Sequence, residues 1–218
     1  MVEGGSPSGN LNKRTLRGSL RLPSQETVQV CHVQLQTRPF FLFLTRLDEE
    51  FAAQAQATGC TCGGVLHRAN YPRKPRGCPN LAIREAFSSR LSFCCSRCRR
   101  RTTSMSVRFL GRRVYLGLVV VLCSARHAGQ NTAAARLCEA LAVPLRTLTR
   151  WRRWWREDFM QTPLWQAMCA RFMPPVSAQG LPGELLARFA GDGGQALARL
   201  LCFLAPITVR AATLPEGR

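Results

Sequence analysis

The chain has 218 residues, enough for one ordinary domain or two to three small ones, and a formal net charge of +19. Residues 60–156 hold 20 basic and two acidic residues, whereas the rest of the chain holds 11 basic and 10 acidic residues. The eleven cysteines are an odd number with no apolar signal segment ahead of them, which argues against a disulfide framework. The longest apolar run, Val114 to Cys123, is too short to span a bilayer. We therefore predict a cytoplasmic protein that does not enter membranes and is attracted to polyanions.

The first 57 residues are predicted to form a flexible N-terminal arm. They begin with a polar stretch that is rich in glycine and serine and carries several arginines. A short apolar run at 39–44 is compatible with one strand or one helical turn. Residues 47–57 (LDEEFAAQAQA) favour a short helix whose acidic residues lie in the first turn, where the helix dipole stabilises them.

Two cysteine pairs dominate residues 58–104, which we interpret as a zinc-ribbon-like segment. The pairs occur in CTCGG at 60–64 and CSRC at 95–98, and four thiolates from two tight turns suit a tetrahedral Zn²⁺ with a structural role. Glycine after the first pair lets the backbone turn toward the sulfurs. The predicted metal ligands are Cys60, Cys62, Cys95 and Cys98, with Cys94, Cys78 and His67 as alternatives.

The spacing of the first pair, C-x-C, departs from the commoner C-x-x-C and leaves these alternatives open. Short strands are expected at residues 65–71 and 91–93, and four helix-breaking residues between 72 and 79 predict strands and turns throughout this segment. Four other cysteines lie on apolar helical faces, where packing in a hydrophobic core is expected. They are Cys123, Cys138, Cys169 and Cys202.

Residues 105–160 predict a three-helix core with a helix-turn-helix. A helix is favoured over a strand within 107–126. Further helices are expected at 132–142 and from 145 to about 159, and Pro144 is placed to begin the last of them. Such a helix can lie in the major groove of DNA. The side chains expected to face DNA are Arg146, Thr147, Arg150 and Arg153, and those expected to neutralise phosphates are Arg99, Arg100, Arg101, Arg112 and Arg113.

An ordinary helical hairpin with a solvated arginine face is the alternative for this region. Trp151 and Trp155 are expected in the core, and Trp154 is expected to pack on other helices more than to stack on a base. Residues 161–218 are predicted to form a helical C-terminal segment, with amphipathic stretches at 163–173, 183–190 and 194–204.

These motifs together resemble parts of a known group of proteins. The segments CTCGGVLHRANYPRKPRGCP, FCCSRCRRR and LAVPLRTLTRWRRWW are similar to the zinc-binding and helix-turn-helix regions of bacterial insertion-sequence transposases and proteins encoded beside them. The resemblance covers residues 58–160 and implies DNA binding. It does not extend to the nuclease, because the chain has only three aspartates, in unrelated contexts that do not suggest a two-metal carboxylate triad.

The sequence thus predicts a mainly α protein with a small β zinc-ribbon, a three-helix helix-turn-helix core and a helical C-terminal segment. We expect a zinc-stabilised, non-enzymatic DNA-binding protein of mobile-element type, accessory or regulatory in role. An RNA-binding zinc module and a zinc-stabilised protein-interaction module, the latter able to form homo-oligomers, are the alternatives.

Overall fold

The protein is mainly helical with a small antiparallel sheet, as seen in a computed structural model that describes residues 1, 38–110, 115–126 and 132–209. This confirms the predicted fold class at its coarse level. The helices are α1 (Arg38–Thr58), α2 (Leu81–Ala86), α3 (Gly117–Arg126), α4 (Thr132–Ala140), α5 (Leu145–Arg156), α6 (Pro163–Met168), α7 (Gly183–Leu186) and α8 (Gly193–Leu204). The strands are β1 (Leu66–Arg68), β2 (Tyr71–Pro72), β3 (Ser89–Arg90), β4 (Ser92–Cys95) and β5 (Arg101–Thr103).

Helix α1 corrects the predicted arm over residues 38–57. Its buried residues recur at helical spacing along one stripe, which packs on the rest of the protein: Phe40, Phe41, Leu44, Asp48 and Ala52. Pro39 does not interrupt it, because the backbone N–H groups of a helix's first turn have no intrahelical partner. The apolar run at 39–44 and the predicted helix at 47–57 therefore form one continuous helix. Residues 2–37 of the predicted arm lie outside the described residues.

The strands form two small sheets. β4 is central in a three-stranded antiparallel sheet of order β1-β4-β5, in which Leu66 pairs with Cys95 and Phe93 with Thr102. β2 and β3 form a separate antiparallel pair. The two strands predicted at 65–71 and 91–93 thus exist, although the first divides into β1 and β2.

Helix α2 contradicts the prediction of strands and turns throughout residues 58–104. That prediction rests on four helix-breaking residues, Pro72, Pro75, Gly77 and Pro79. All of these breakers precede the helix. Asn80 caps it, since its side-chain oxygen accepts a hydrogen bond from the Ile83 N–H at 2.9 Å. The following residues, LAIREA, are mostly good helix formers.

Helix α3 is the centre of the helical part. Every residue from 118 to 123 is at most 2% exposed, and an all-round apolar helix of this kind must be enclosed by others. α4, α5, α7 and α8 contact it. Within the described residues, the helix predicted within 107–126 begins at residue 117, and the next two helices end at 140 and 156, earlier than the predicted 142 and about 159. In the C-terminal segment, α6 and α7 lie within the stretches predicted at 163–173 and 183–190, and α8 begins one residue before the stretch predicted at 194–204.

A buried ionic network joins the first helix to the segment after β5. Asp48 is fully buried, and its Oδ2 lies 2.7 Å from Arg108 Nε and accepts a hydrogen bond from Ser106 Oγ at 2.7 Å. Its Oδ1 accepts the Val107 N–H at 2.7 Å. A carboxylate with three short hydrogen bonds is well compensated for its lost hydration.

The same network reaches the C-terminal end of the described chain through Arg90. This guanidinium lies 3.9 Å from Asp48 Oδ2 and donates to the Ser104 carbonyl at 2.7 Å and to Thr208 Oγ1 at 3.4 Å. Burial lowers the pKa of Arg90, and the charge of Asp48 opposes that shift. The network therefore ties α1, β3, the residues after β5 and the 3-10 turn Ala205–Thr208 together.

We expect Asp48→Ala to destabilise the fold by about 3–5 kcal/mol, because it leaves two buried guanidinium groups without a counter-charge. Denaturant unfolding measures this. The matched control is Glu49→Ala on the exposed side of the same helix, which should change stability by no more than about 0.5 kcal/mol. Equal stabilities of the two variants would contradict the assigned role of the network.

Candidate metal centre and basic surface

Four cysteine sulfurs converge between α1 and the three-stranded β1-β4-β5 sheet. They come from Cys60, Cys62, Cys95 and Cys98, and all of them lie within 4.8 Å of one another. The S···S distances are 3.5 Å for Cys60–Cys98, 3.5 Å for Cys60–Cys62 and 3.4 Å for Cys62–Cys95. The C-x-C spacing of the first pair therefore does not keep its two sulfurs from sharing one site.

These distances fit metal ligands better than a disulfide. A disulfide bond is about 2.05 Å long. Four sulfurs placed about 2.3 Å from one ion in a regular tetrahedron would lie roughly 3.8 Å apart. The cluster could therefore hold a metal ion such as zinc.

Glycines shape the first turn. Gly63 has φ +74°, a backbone conformation that L side chains rarely adopt, and its N–H donates to the Cys60 carbonyl at 2.8 Å. Gly64 is required for space, because a Cβ there would lie 2.5 Å from Cys95 Sγ and 2.7 Å from the Arg97 Cβ. The two turns thus approach closely only because residue 64 has no side chain.

Backbone hydrogen bonds fix the second cysteine turn, residues 95–98, to the sheet. The Cys95 N–H donates to the Arg100 carbonyl at 3.0 Å, and the Arg99 N–H donates to the Cys95 carbonyl at 3.1 Å. Ser96 N–H donates to the Val65 carbonyl at 2.9 Å, next to the point where Leu66 pairs with Cys95. Strand register therefore determines where the second pair of sulfurs meets the first.

The clustered thiols alter the pKa values of Cys95 and Cys98. A hydrogen bond from the Cys98 backbone is the main cause that lowers the pKa of Cys95 to about 6, against the effect of burial. For Cys98 the backbone hydrogen bond of Arg100 acts to lower the pKa, but contacts with the other three thiols and burial outweigh it and raise the pKa to about 12. Two thiolates 3.5 Å apart repel each other strongly, because the Coulomb energy grows as the distance shrinks. Ionisation of all four therefore needs a cation among them.

The apolar core beside the sulfurs is very small. It contains Ala52 of α1, Leu66, Phe93 and Cys95. Two large buried side chains give the three-stranded sheet little hydrophobic stabilisation, and metal binding can supply more.

The alternative ligands lie outside the cluster. Cys94 points away from it, and its Sγ lies 3.6 Å from the Arg99 carbonyl. His67 is exposed and pairs with Cys94 across the sheet, while Cys78 lies beyond the sheet, near α2. Of the cysteines expected in the core, Cys123 and Cys138 are buried, and Cys169 and Cys202 are half-buried against the same core.

Helix α5 presents arginines on the face opposite its buried side. Leu148, Trp151 and Trp155 are buried, whereas Arg146 and Arg150 are exposed. Thr147 is also buried, at 7% exposure, which corrects its assignment to the DNA-facing side. It lies four residues before Trp151 and thus on the buried face of the helix.

Arg153 is exposed but already has a partner. Its Nε lies 2.6 Å from the Glu157 carboxylate, and that hydrogen bond raises the pKa of Arg153. The exposed Arg156 was missed by the sequence analysis, although its position three residues after Arg153 places it on the same helical face. Trp154 packs on Trp155 of the same helix, with ring centroids 4.9 Å apart, and on Phe159 just beyond the helix, at 5.7 Å.

A second group of arginines lies on the turn beside the sulfurs. Arg99, Arg100 and Arg101 are all exposed. Arg97, also missed from the sequence, donates from NH1 to the Cys62 carbonyl at 3.2 Å and so links the two cysteine turns. Arg112 and Arg113, the remaining predicted phosphate contacts, lie outside the described residues.

Comparison with protein-family models, curated proteins and solved structures finds no match to this chain. The likeness to insertion-sequence transposases therefore stays a prediction. Within the described ranges, no helix has the length and apolar character needed to cross a membrane.

We expect Cys95→Ser to lose bound zinc and the fold of the sheet, because it removes one of four ligands. Cys94→Ser, which removes the neighbouring sulfur on the same strand, should retain one zinc ion per chain. Elemental analysis of the purified proteins, with circular dichroism, measures both properties. Equal zinc contents in the two variants would exclude the four-sulfur site.

Proposed function

We propose that this protein is a zinc-stabilised DNA-binding protein of mobile-element type that acts as an accessory or regulatory factor and has no nuclease activity. The observation that carries the proposal is the exposed arginine face of α5 in a chain with a four-cysteine cluster. Concentrated positive charge with few carboxylates attracts a phosphate backbone.

Zinc is the ion best suited to the cluster. Soft thiolate donors in a tetrahedral set select zinc or iron-sulfur chemistry among common metals, and four protein ligands leave no position for a substrate. The proposed role of the ion is structural: it holds the β1-β4-β5 sheet in a zinc-ribbon-like form.

The three helices α3, α4 and α5 support a helix-turn-helix. The connection at 141–144 buries Leu141 and Val143, while Ala142 has φ +49° and is exposed, which allows a tight turn between the two helices. α5 would then lie in the major groove with Arg146 and Arg150 directed to bases or phosphates.

Two of the three aspartates have structural roles. Asp48 is held in the buried network, and Asp192 caps α8 by accepting the Gln195 N–H at 2.8 Å. Asp158, the third aspartate, lies at the end of α5 apart from any cluster of acids in the described ranges. A two-metal nuclease needs several carboxylates that converge.

A protein-interaction role is the second candidate, and one observation favours it. Leu42 and Phe43 on α1 are 50% and 47% exposed. Adjacent exposed apolar side chains of this size can mark a contact with another protein or a second copy of the chain.

We expect a labelled duplex DNA to bind with an affinity that falls steeply between about 50 and about 200 mM salt, as condensed counterions are released. Arg146→Ala/Arg150→Ala should weaken binding at least about tenfold, since each base-contacting side chain contributes about 1–3 kcal/mol. Fluorescence anisotropy measures both effects.

The matched control is Arg46→Ala/Arg171→Ala, which removes two exposed arginines outside the basic central stretch and should bind nearly as the unaltered protein does. Salt-independent affinity, or equal losses in the two double variants, would overturn the proposal. Stronger binding of structured RNA in competition would favour an RNA-binding role instead.

A further inference from the structure

An open pocket of about 490 Å³ lies between α2 and the connection that joins α4 to α5. Two arginines, Arg76 and Arg84, line one side of it, and Leu141 and Ala142 of the connection line another. Helix α5 begins at Leu145, three residues after Ala142. The pocket is therefore next to the start of the helix that carries the exposed arginines.

The pocket is lined by positive charge, and no described residue of its lining carries a counter-charge. None of the described residues that line it is acidic. Both arginines are exposed, and neither forms a salt bridge with any carboxylate in the described part of the chain. Two guanidinium groups at the edge of a concave surface attract an anion, and phosphate oxygens match their fork of N–H donors.

The backbone under Arg76 is fixed. Its carbonyl accepts the Leu116 N–H at 3.3 Å, and the adjacent Gly77 has φ +75°. A Cβ at Gly77 would lie 3.1 Å from a methyl group of the buried Val119. Arg76 thus projects from a turn that is packed directly against the central helix.

Arg84 projects from α2, which Asn80 caps and the buried Ile83 anchors to the core. It acts on the neighbouring Cys78, whose pKa is raised to about 11 by burial, with the Arg84 charge opposing the shift. The Cys78 thiol is therefore neutral at physiological pH and does not compete with an incoming anion for Arg84.

We propose that this pocket binds a backbone phosphate of nucleic acid and so extends the contact surface from α5 to α2. The inference rests on the proposed function and adds a site that the sequence analysis did not identify. A volume of about 490 Å³ also admits the sugar attached to the phosphate. The pocket contributes affinity without base specificity, since a phosphate contact carries no sequence information.

The test is the salt dependence of duplex DNA binding by Arg76→Ala/Arg84→Ala. Loss of one phosphate contact lowers the slope of log K against log salt by about 0.9, so the double variant should have a slope smaller by about that amount. Its affinity should fall equally for duplexes of different sequence. Arg76→Lys/Arg84→Lys keeps both charges and should retain the slope of the unaltered protein.

The outcomes separate this site from the proposed function. If the unaltered protein binds DNA with a steep slope and the alanine variant keeps that slope, the pocket is not a phosphate site, although the DNA-binding function stands. If Arg46→Ala/Arg171→Ala reduces the slope as much, the effect is one of net charge alone and the pocket assignment is wrong. Absence of binding by the unaltered protein overturns both proposals. Thermal melting of each variant establishes that it is folded.

Discussion

The convergence of four sulfurs is the constraint on which the small sheet depends. Their separations of 3.4–3.5 Å for neighbouring pairs are incompatible with four bare thiolates, because like charges at that distance repel strongly. A cation placed among the sulfurs attracts each thiolate, and these attractions outweigh the repulsion between the thiolates. The buried core beside the sulfurs has Leu66 and Phe93 as its large apolar side chains, so a metal ion held by the four cysteines would add to the stability of the β1-β4 pairing.

Helix α1 connects the sulfur site to the helical part. Ala52 belongs to the small core beside the four sulfurs, and one helical turn earlier Asp48 enters the buried network with Arg108. Helix α1 therefore links the sulfur cluster to the buried network that anchors the 3-10 turn Ala205–Thr208.

The sequence predicted the features that depend on local patterns. Each of these features is recognised from a few neighbouring residues: the two cysteine pairs, the glycines at 63 and 64, and the helical hairpin around Pro144. The run at 39–44 and the helix at 47–57 were predicted separately, although a buried stripe from Phe41 through Leu44 and Asp48 to Ala52 runs through both at helical spacing. Thr147 lies on the buried face of α5 and not on the predicted DNA-facing side. Its polarity favours an exposed position, but it precedes the buried Trp151 by about one helical turn. Asp48 and Arg108 are 60 residues apart, so no local pattern could have paired them.

X-ray absorption spectroscopy of the purified protein at the zinc edge tests the central claim most directly. The account predicts one zinc ion per chain with four sulfur ligands at about 2.3 Å. A first shell with two or more nitrogen or oxygen ligands, or a folded protein from which no metal can be detected, would contradict it.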